Sequence, residues 1–190
     1  MSAVPAIRAA AVRDTLAYLD RVEENGQARV LARVPESSRA IILETARSSW
    51  IEAEHDHHTL DAMIALFGLE RSIRYWRGAL VNLIDKPLLG PFVTGMLRLG
   101  RSPERVVQLI ATGWPLVYRN MCTVRFEHVE RGVPMLHFEQ IPPLVRRHRN
   151  YLHCWHGVCQ AFATLAGVDG RVEFSALPDD SAARAKFFWR

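Results

Sequence analysis

The sequence is short of cysteine and of long apolar runs, and each shortage excludes a class of protein. Its three cysteines have no paired spacing, which argues against a disulfide scaffold and for a reducing, cytoplasmic compartment. No apolar run reaches the roughly 18 residues that a membrane span needs. The first residues, MSAVPAIRAAAVRDT, lack the continuous apolar segment of a secretory signal. We therefore expect a cytoplasmic protein without a membrane span.

Lysine is also scarce, and the basic charge is scattered. The formal net charge is +4, and of the 24 basic residues only Lys86 and Lys186 are lysines, an arginine excess that we attribute to coding bias. The densest basic cluster runs from residue 146 to 149, whereas a nucleic-acid interface needs basic clusters combined with stacking aromatics. The sequence therefore predicts no nucleic-acid partner.

Short catalytic motifs are missing as well. The sequence contains no Gly-x-Gly-x-x-Gly loop, no phosphate-binding Gly-Lys-Ser/Thr loop, no His-Glu-x-x-His and no Gly-x-Ser-x-Gly. Adjacent acidic residues such as Glu23 and Glu24 are placed like solvated side chains rather than like acid–base partners. We therefore expect binding without catalysis rather than an enzyme.

What the sequence does contain is enough apolar material for one domain. Of its 190 residues, 49% are hydrophobic and 23% are charged, which is ordinary for a globular chain that needs no disulfide or metal to hold its core. Apolar residues recur at helical spacing between residues 5 and 25, before Gly26. We expect residues 1–26 to form an N-terminal helix that serves as an arm, a docking helix or part of the core. Residues 27–190 are expected to form a single domain.

The periodicity of the apolar residues changes along the chain. Up to residue 120 it is helical, and it includes a helix from Leu89 to Leu99 that Gly100 ends. Between residues 122 and 141 apolar and polar residues alternate, as in a hairpin with its turn at residues 130–132. The helical period returns from 145 to 166, and short strands follow at 171–175 and 184–189. This order predicts an α+β fold, in which an N-terminal helical half packs on a C-terminal four-stranded antiparallel sheet (β-β-α-β-β).

The C-terminal segment NYLHCWHGVCQAFATLAGVDGRVEF resembles the end of ligand-binding domains of the vinyl-4-reductase type. In that family a Cys-Trp pair and a glycine lie in a helix that leads into a Gly-x-x-x-Val-x-x-Glu segment. The matching residues here are Cys154, Trp155, Gly157, Gly167 or Gly170, Val172 and Glu173. From about residue 28 the chain also resembles a paralogous myxobacterial family of unknown function, through RVLARVPESSRA and LGRSPERVVQLIATGWPLVYRN. Both groups are similar to the wider fold of haem nitric-oxide-binding domains and Golgi-tethering subunits, which implies a pocket between helices and sheet.

The resemblance also bears on cofactors. Sensor members of the vinyl-4-reductase type hold a structural zinc with the helix cysteine, a glutamate and two later cysteines. Here Cys154 and Glu173 remain, but no cysteine follows Cys159, and a closed zinc site needs four ligands. Haem nitric-oxide-binding members use a histidine beneath the haem and a Tyr-x-Ser-x-Arg motif, to which the nearest match is Tyr118-Arg119-Asn120. We therefore predict no cofactor, with haem or zinc as alternatives that the sequence does not support.

Large aromatic and polar side chains on the predicted helices are the candidate ligand-binding residues. A small-molecule site is typically an apolar pocket with a few polar groups, although the same aromatic stripe also fills an ordinary core. Cys159 lies beside two histidines on one helix face, as a candidate nucleophile or as a core residue. The candidate ligand-binding residues are Trp76, Trp114, Tyr118, His153, Trp155 and His156.

Three further histidines lie close together in a polar, acidic segment: His55, His57 and His58. Imidazole and carboxylate side chains together suit zinc, nickel or iron. The same pattern is typical of a solvated polar loop that caps the next helix. We predict no metal site and keep these histidines as the candidates for one.

These observations favour a non-catalytic sensory domain with a small apolar or aromatic ligand bound between the helices of residues 60–120 and the sheet. A homo-oligomer or a protein partner is expected as well. The first alternative is a protein–protein interaction module, either a homodimer or a subunit of a complex. The second alternative is a metal- or haem-dependent enzyme that uses the histidines.

Overall fold

The computed structural model describes residues 3–84, 86–98, 102–130 and 133–190. Within these ranges the chain forms nine helices and seven strands. The helices are α1 (Ala9–Leu19), α2 (Gly26–Leu31), α3 (Glu36–Glu44), α4 (Ala53–Phe67), α5 (Leu69–Leu83), α6 (Gly90–Arg98), α7 (Pro103–Val117), α8 (Pro143–Arg147) and α9 (Asn150–Ala166). The strands are β1 (Ala6–Arg8), β2 (Trp50–Glu52), β3 (Tyr118–Arg119), β4 (Thr123–Glu130), β5 (Val133–Glu139), β6 (Gly170–Ala176) and β7 (Ala183–Trp189).

The predicted α+β fold is confirmed. Helices α1 to α7 form the N-terminal half, and the last four strands form an antiparallel sheet in the order β4-β5-β7-β6. Buried and partly exposed residues alternate along β5, so that Leu136 and Phe138 face the core opposite Ala185 and Ala183 of β7. A period of two is the pattern that a sheet with one covered face requires, which is why the sequence identified these strands.

A second, three-stranded sheet is not expected from the sequence. Its central strand is β1, in which Ile7 pairs with Ile51 of β2 on one side and with Tyr118 of β3 on the other. Each strand has only two or three residues, too few for a periodicity to be recognised. This sheet fixes the backbone of Tyr118 at the point where α7 ends.

Residues 6–19 pack with the rest of the described chain. Besides the pairing of β1, Leu16 and Leu19 of α1 are buried in the main hydrophobic core. Helix α1 packs closely on α5, because Gly78 leaves room where an added Cβ would lie 2.1 Å from the hydroxyl oxygen of Tyr18. The structure therefore places residues 6–19 in the core, and not on an extended arm.

Helix α9 lies between the other helices and the four-stranded sheet. On its helical side Gly157 approaches α5 so closely that an added Cβ would meet the carbonyl oxygen of Ile73 at 2.7 Å. On its other side Trp155, Cys159 and Phe162 are fully buried. The helix ends at Gly167, whose φ of 69° is the left-handed conformation that glycine adopts without strain.

Two sequence predictions lie partly outside the described residues. The helix predicted to end at Gly100 corresponds to α6, and Leu99 and Gly100 are outside the described ranges. Of the predicted hairpin turn, residues 131 and 132 are outside as well. Among the helices that are described, none combines the length and the apolar character needed to cross a membrane.

Candidate ligand-binding cavity

A cavity of about 100 Å³ lies among the helices. Its largest walls come from α5 and α7, because both helices carry apolar side chains at spacings of three and four residues, which share one helix face. The α5 wall is formed by Trp76, Ala79, Leu80 and Leu83. The α7 wall is formed by Leu109, Ile110, Gly113, Trp114 and Val117. Residues of β1, α1, α4, α6, β3 and α9 complete the cavity, so that both the N-terminal half and the C-terminal helix contribute to it.

The sequence predicts a cavity between the helices and the four-stranded sheet, but the cavity does not lie there. No described residue of β4 to β7 lines it. The ring of Trp155 stacks on Phe138 with centroids 5.4 Å apart, and Phe162 packs edge-on against Phe187 at 5.0 Å, so aromatic rings fill the space between α9 and the sheet. The predicted position is therefore corrected, and the cavity lies against a different face of α9.

Helix α9 has two buried faces with different roles. Cys154, Val158 and Leu165 point towards the cavity. Trp155 and Phe162 point towards the sheet. A helix that is apolar on most of its circumference gives no sequence signal of which face meets which partner.

Three of the predicted ligand-binding residues line the cavity together: Trp76, Trp114 and Tyr118. The rings of Trp114 and Tyr118 lie 4.3 Å apart with an interplanar angle of 34°. Trp155 is one layer behind them and meets Trp114 edge-on at 5.2 Å without lining the cavity. Trp76, Trp114 and Tyr118 therefore share one cavity and Trp155 lies in the layer behind it, while their role in ligand binding stays a prediction.

The predicted histidines His153 and His156 lie away from the cavity. The imidazole of His156 stacks on Phe174 of β6 at 5.5 Å and hydrogen-bonds the amide of Gln160 at 3.0 Å. Burial lowers the pKa of both histidines, and the nearby Arg149 lowers that of His153 further. Burial also raises the pKa of the Cys159 thiol, which opposes formation of a nucleophilic thiolate. The predicted histidine pocket wall is therefore corrected: this face of α9 packs on the sheet.

The histidines of residues 55–58 lie on the first turns of α4 rather than in a loop. They have separate partners: Nδ1 of His55 lies 3.0 Å from the Ser38 hydroxyl, and Nε2 of His57 lies 3.0 Å from the Asp61 carboxylate. The ring of His57 also stacks on His148 with centroids 3.4 Å apart. Over the residues that the structure describes, no three histidine, cysteine or acidic side chains converge in a way that could hold a metal ion.

Asp56 is the functional candidate that the sequence analysis missed. It lines the cavity, its exposed fraction is 5%, and burial raises its pKa from 3.8 to about 6. The Thr59 hydroxyl lies 3.1 Å from the Asp56 carboxylate and 2.7 Å from the Asp56 carbonyl oxygen, and can donate to either. Asp56 precedes Leu60 and Met63 at helical spacing, so it belongs to the buried stripe of α4. Because the residues around Asp56 are polar, the sequence pattern did not indicate that it is buried.

The other polar groups of the cavity are neutral. Burial raises the pKa of the Tyr118 hydroxyl and of the Cys154 thiol well above their ordinary values, so both keep their protons near pH 7. The indole Nε1 atoms of Trp76 and Trp114 are buried and have no hydrogen-bond acceptor among the described residues. The residues that line the cavity therefore combine aromatic rings, two indole donors and a carboxylate.

The comparisons with known proteins identify the fold. No protein-family model and no curated protein sequence matches the chain. Solved H-NOX structures do match: an oxygen-binding H-NOX domain related to soluble guanylate cyclases has a TM-score of 0.66 and 11% identity over 97% of this chain and 95% of that chain. An H-NOX protein from S. oneidensis in the Fe(II)NO state has a TM-score of 0.67 and 9% identity over 95% and 98%. An H-NOX protein from K. algicida, Fe(II) and unliganded, has a TM-score of 0.61 and 11% identity over 94% and 96%. At these identities the match establishes an H-NOX-like fold. The resemblances to the vinyl-4-reductase type and to the myxobacterial family stay predictions.

The prediction of no cofactor is contradicted by these comparisons. The similar structures are described by the state of their iron and by their haem, including one that concerns haem distortion in the H-NOX family. A chain of this fold therefore has to be tested for haem against its own residues.

The residues that line the cavity of this chain do not fit a haem. Small-molecule and cofactor pockets have roughly 300–1,000 Å³, several times the volume of about 100 Å³ found here. All eight histidines lie among the described residues, and none lines the cavity. Of the described lining residues, only Tyr118 and Cys154 are of types that ligate haem iron. Asp56 has the same charge as haem propionates, and no described cationic residue lines the cavity to pair with them.

Proposed function

We propose that the chain is a sensory domain that binds a small apolar ligand in the cavity between α5, α7 and α9. The observation that carries the proposal is the cavity itself, which has aromatic walls on several helices and only a few polar groups. Cavities with mostly apolar walls take up small molecules with apolar surfaces; an engineered cavity of about 150 Å³ binds benzene or xenon. The ligand is correspondingly small, with about five or six non-hydrogen atoms.

The polar groups of the cavity orient the ligand. A buried N–H group without an acceptor costs free energy, and a ligand oxygen or nitrogen that accepts from it recovers that cost. The indole of Trp76 supplies such a donor. Among neutral ligands, we therefore expect one with an acceptor atom to bind better than a hydrocarbon of the same shape.

The position of α9 allows occupancy of the cavity to be sensed at the sheet. The same helix contributes Cys154 and Val158 to the cavity and Trp155 to the sheet interface. Cores are close-packed, so a helix that is displaced on one face transmits the displacement to the other. We propose that movement of α9 is the signal. That a protein partner or a second copy of the chain responds to this movement stays a prediction.

The test is a titration with isobutanol, which has five non-hydrogen atoms, one of them oxygen. Binding is measured from the ¹H–¹⁵N signals of the five indole groups. We expect saturable shifts at Trp76 and Trp114 and a higher midpoint of thermal unfolding. Ala79→Leu, which fills the cavity from α5, should abolish both effects. Val158→Ile is a smaller filling from the opposite wall. Ala28→Leu, at an exposed site on α2, is the matched control and should bind normally.

Two results would contradict this function. One is the absence of binding to the wild-type protein, or binding that Ala79→Leu leaves unchanged. The other is a purified protein with an intense Soret absorption band, because a bound haem requires a pocket that the described side chains do not form.

A further inference from the structure

We propose that the cavity selects a small aliphatic amine, bound as its ammonium ion against the carboxylate of Asp56 and the aromatic walls. This inference rests on the proposed function, since it names the chemical class of the ligand of the same cavity.

Among the described residues, Asp56 has no cationic partner. The structure describes two other buried aspartates, and each is paired with an arginine: Asp14 with Arg47 at 2.7 Å and Asp180 with Arg149 at 2.8 Å. No described cationic side chain lies within ion-pair distance of Asp56. A buried charge without a partner costs several kcal/mol, so a cationic ligand is the partner that this site lacks.

The neutral hydroxyl groups around Asp56 leave the charge of its carboxylate in place. Its polar neighbours are the hydroxyls of Thr59 and Tyr151, which lower its pKa; the Thr59 hydroxyl can donate to the carboxylate, and the Tyr151 hydroxyl donates to the carbonyl oxygen of Ala53. Burial outweighs them and raises the pKa to about 6, which still leaves most of the carboxylate ionised at pH 7. The cavity therefore contains a negative charge in apolar surroundings.

Aromatic side chains in the same cavity add a further attraction for a cation. Trp76, Trp114 and Tyr118 all line the cavity with Asp56. The faces of aromatic rings attract a desolvated cation, by about 2 kcal/mol in dry sites, and tryptophan is the most effective. A carboxylate together with aromatic rings stabilises an ammonium group better than either does alone.

The size of the cavity limits the rest of the ligand. A volume of about 100 Å³ leaves room for a short branched alkyl chain and not for a peptide, a nucleotide or a large aromatic amine. Isobutylamine is therefore a suitable probe. Isobutanol and 2-methylbutane have the same carbon skeleton with a hydroxyl or a methyl in place of the amino group.

The test compares these three probes by calorimetry and by the indole signals, in the wild-type protein and in Asp56→Asn. We expect the wild type to bind isobutylamine at least tenfold more tightly than isobutanol. Asp56→Asn should lose this preference and bind isobutanol within twofold of the wild type. Asp180→Asn, which changes a buried aspartate far from the cavity lining, is the control and should keep the preference.

A pH series gives an independent readout. The titratable groups that face Asp56 are Tyr118 of β3 and Tyr151 and Cys154 of α9, and burial raises the pKa of all three, so none changes charge between pH 5 and 7.5. Protonation of Asp56 should therefore weaken isobutylamine binding below about pH 6 and leave isobutanol binding unchanged.

The outcomes separate this inference from the proposed function. If isobutanol and 2-methylbutane bind but isobutylamine does not, or if Asp56→Asn keeps the amine preference, the amine proposal is wrong and the sensory cavity stands. If none of the three binds, the cavity function fails as well.

Discussion

The indole of Trp155 lies against the ring of Phe138, with centroids 5.4 Å apart and planes inclined by only 15°. Trp155 in turn meets Trp114 of the cavity wall edge-on at 5.2 Å. Trp114 also meets Phe138 directly and edge-on at 5.4 Å, so the three rings are in mutual contact and connect the cavity to β5 of the sheet. Packed aromatic chains of this kind have few alternative arrangements, so they are suited to transmit a small displacement.

Replacement of Trp155 should lower the stability of the protein and weaken the transmission to the sheet, but should leave ligand binding nearly unchanged. Trp155→Ala leaves a large void in the core and should lower the free energy of unfolding by roughly 3–5 kcal/mol, measured by urea denaturation. Trp155→Phe should fold and should bind isobutanol within about threefold of the wild type, because Trp155 does not line the cavity. The isobutanol-induced shift of the Phe138 backbone amide should shrink in this variant. An unchanged shift would show that the signal does not pass through Trp155.

The close contact of α9 with α5 should make Gly157 intolerant of a side chain. In Gly157→Ala the new Cβ would lie 2.7 Å from the carbonyl oxygen of Ile73 and 3.0 Å from Cβ of Trp76, which forces the helices apart. We expect a loss of about 1–3 kcal/mol in the free energy of unfolding. Gly95→Ala is the matched control, since no atom lies within 4 Å of its added Cβ and alanine favours a helix. Equal stability of the two variants would contradict the packing described here.

Asp56→Asn should stabilise the protein at neutral pH. The pKa of Asp56 is about 6 in the folded state against an ordinary 3.8, so the folded state binds more protons between these values, and stability rises as the pH falls from about 6 to 4. The ionised carboxylate therefore costs about 2–3 kcal/mol at pH 7. Asparagine should remove most of this cost. Urea denaturation at pH 7 and pH 4.5 checks the sign: the gain should be large at pH 7 and small at pH 4.5.

The contribution of His57 to the free energy of unfolding should change with pH in the opposite direction. Burial lowers its pKa from 6.5 to about 4, against the opposing effect of Asp61, and the neighbouring His148 and His58 lower it further. The folded state then binds fewer protons, so stability is full above pH 6.5 and is lost as the pH falls towards 4, by up to about 3 kcal/mol.

His57→Gln should therefore reduce the loss of stability on acidification, whereas His128→Gln, at an exposed position of β4, should not. Because the contributions of Asp56 and His57 oppose each other between pH 6 and 4, the wild type should show a shallow profile. Asp56→Asn should show a steeper acid loss than the wild type. A flat profile in Asp56→Asn would contradict the prediction for His57.

The sequence predicted the parts of the fold that have a long enough pattern. The alternation in β4 and β5 and the helical stripe of α9 extend over seven or more residues. β1, β2 and β3 have two or three residues and are held by pairing with distant segments, which no local pattern reveals. Trp76, Trp114 and Tyr118 line one cavity because they lie on elements that pack together, and their role in ligand binding stays a prediction.

The position of the cavity could not be predicted, for two physical reasons. Helix α9 is buried on two faces, so its sequence does not tell whether Cys154 or Trp155 faces the cavity. Asp56 lies in a run of polar residues, and only its register with Leu60 shows that it is buried.

A crystal structure under xenon pressure tests the account most directly, because xenon occupies dry apolar cavities. We predict a xenon atom among Trp76, Trp114 and Val158, and none in the Ala79→Leu variant. Xenon between α9 and the four-stranded sheet, or no xenon among the helices, would contradict the account.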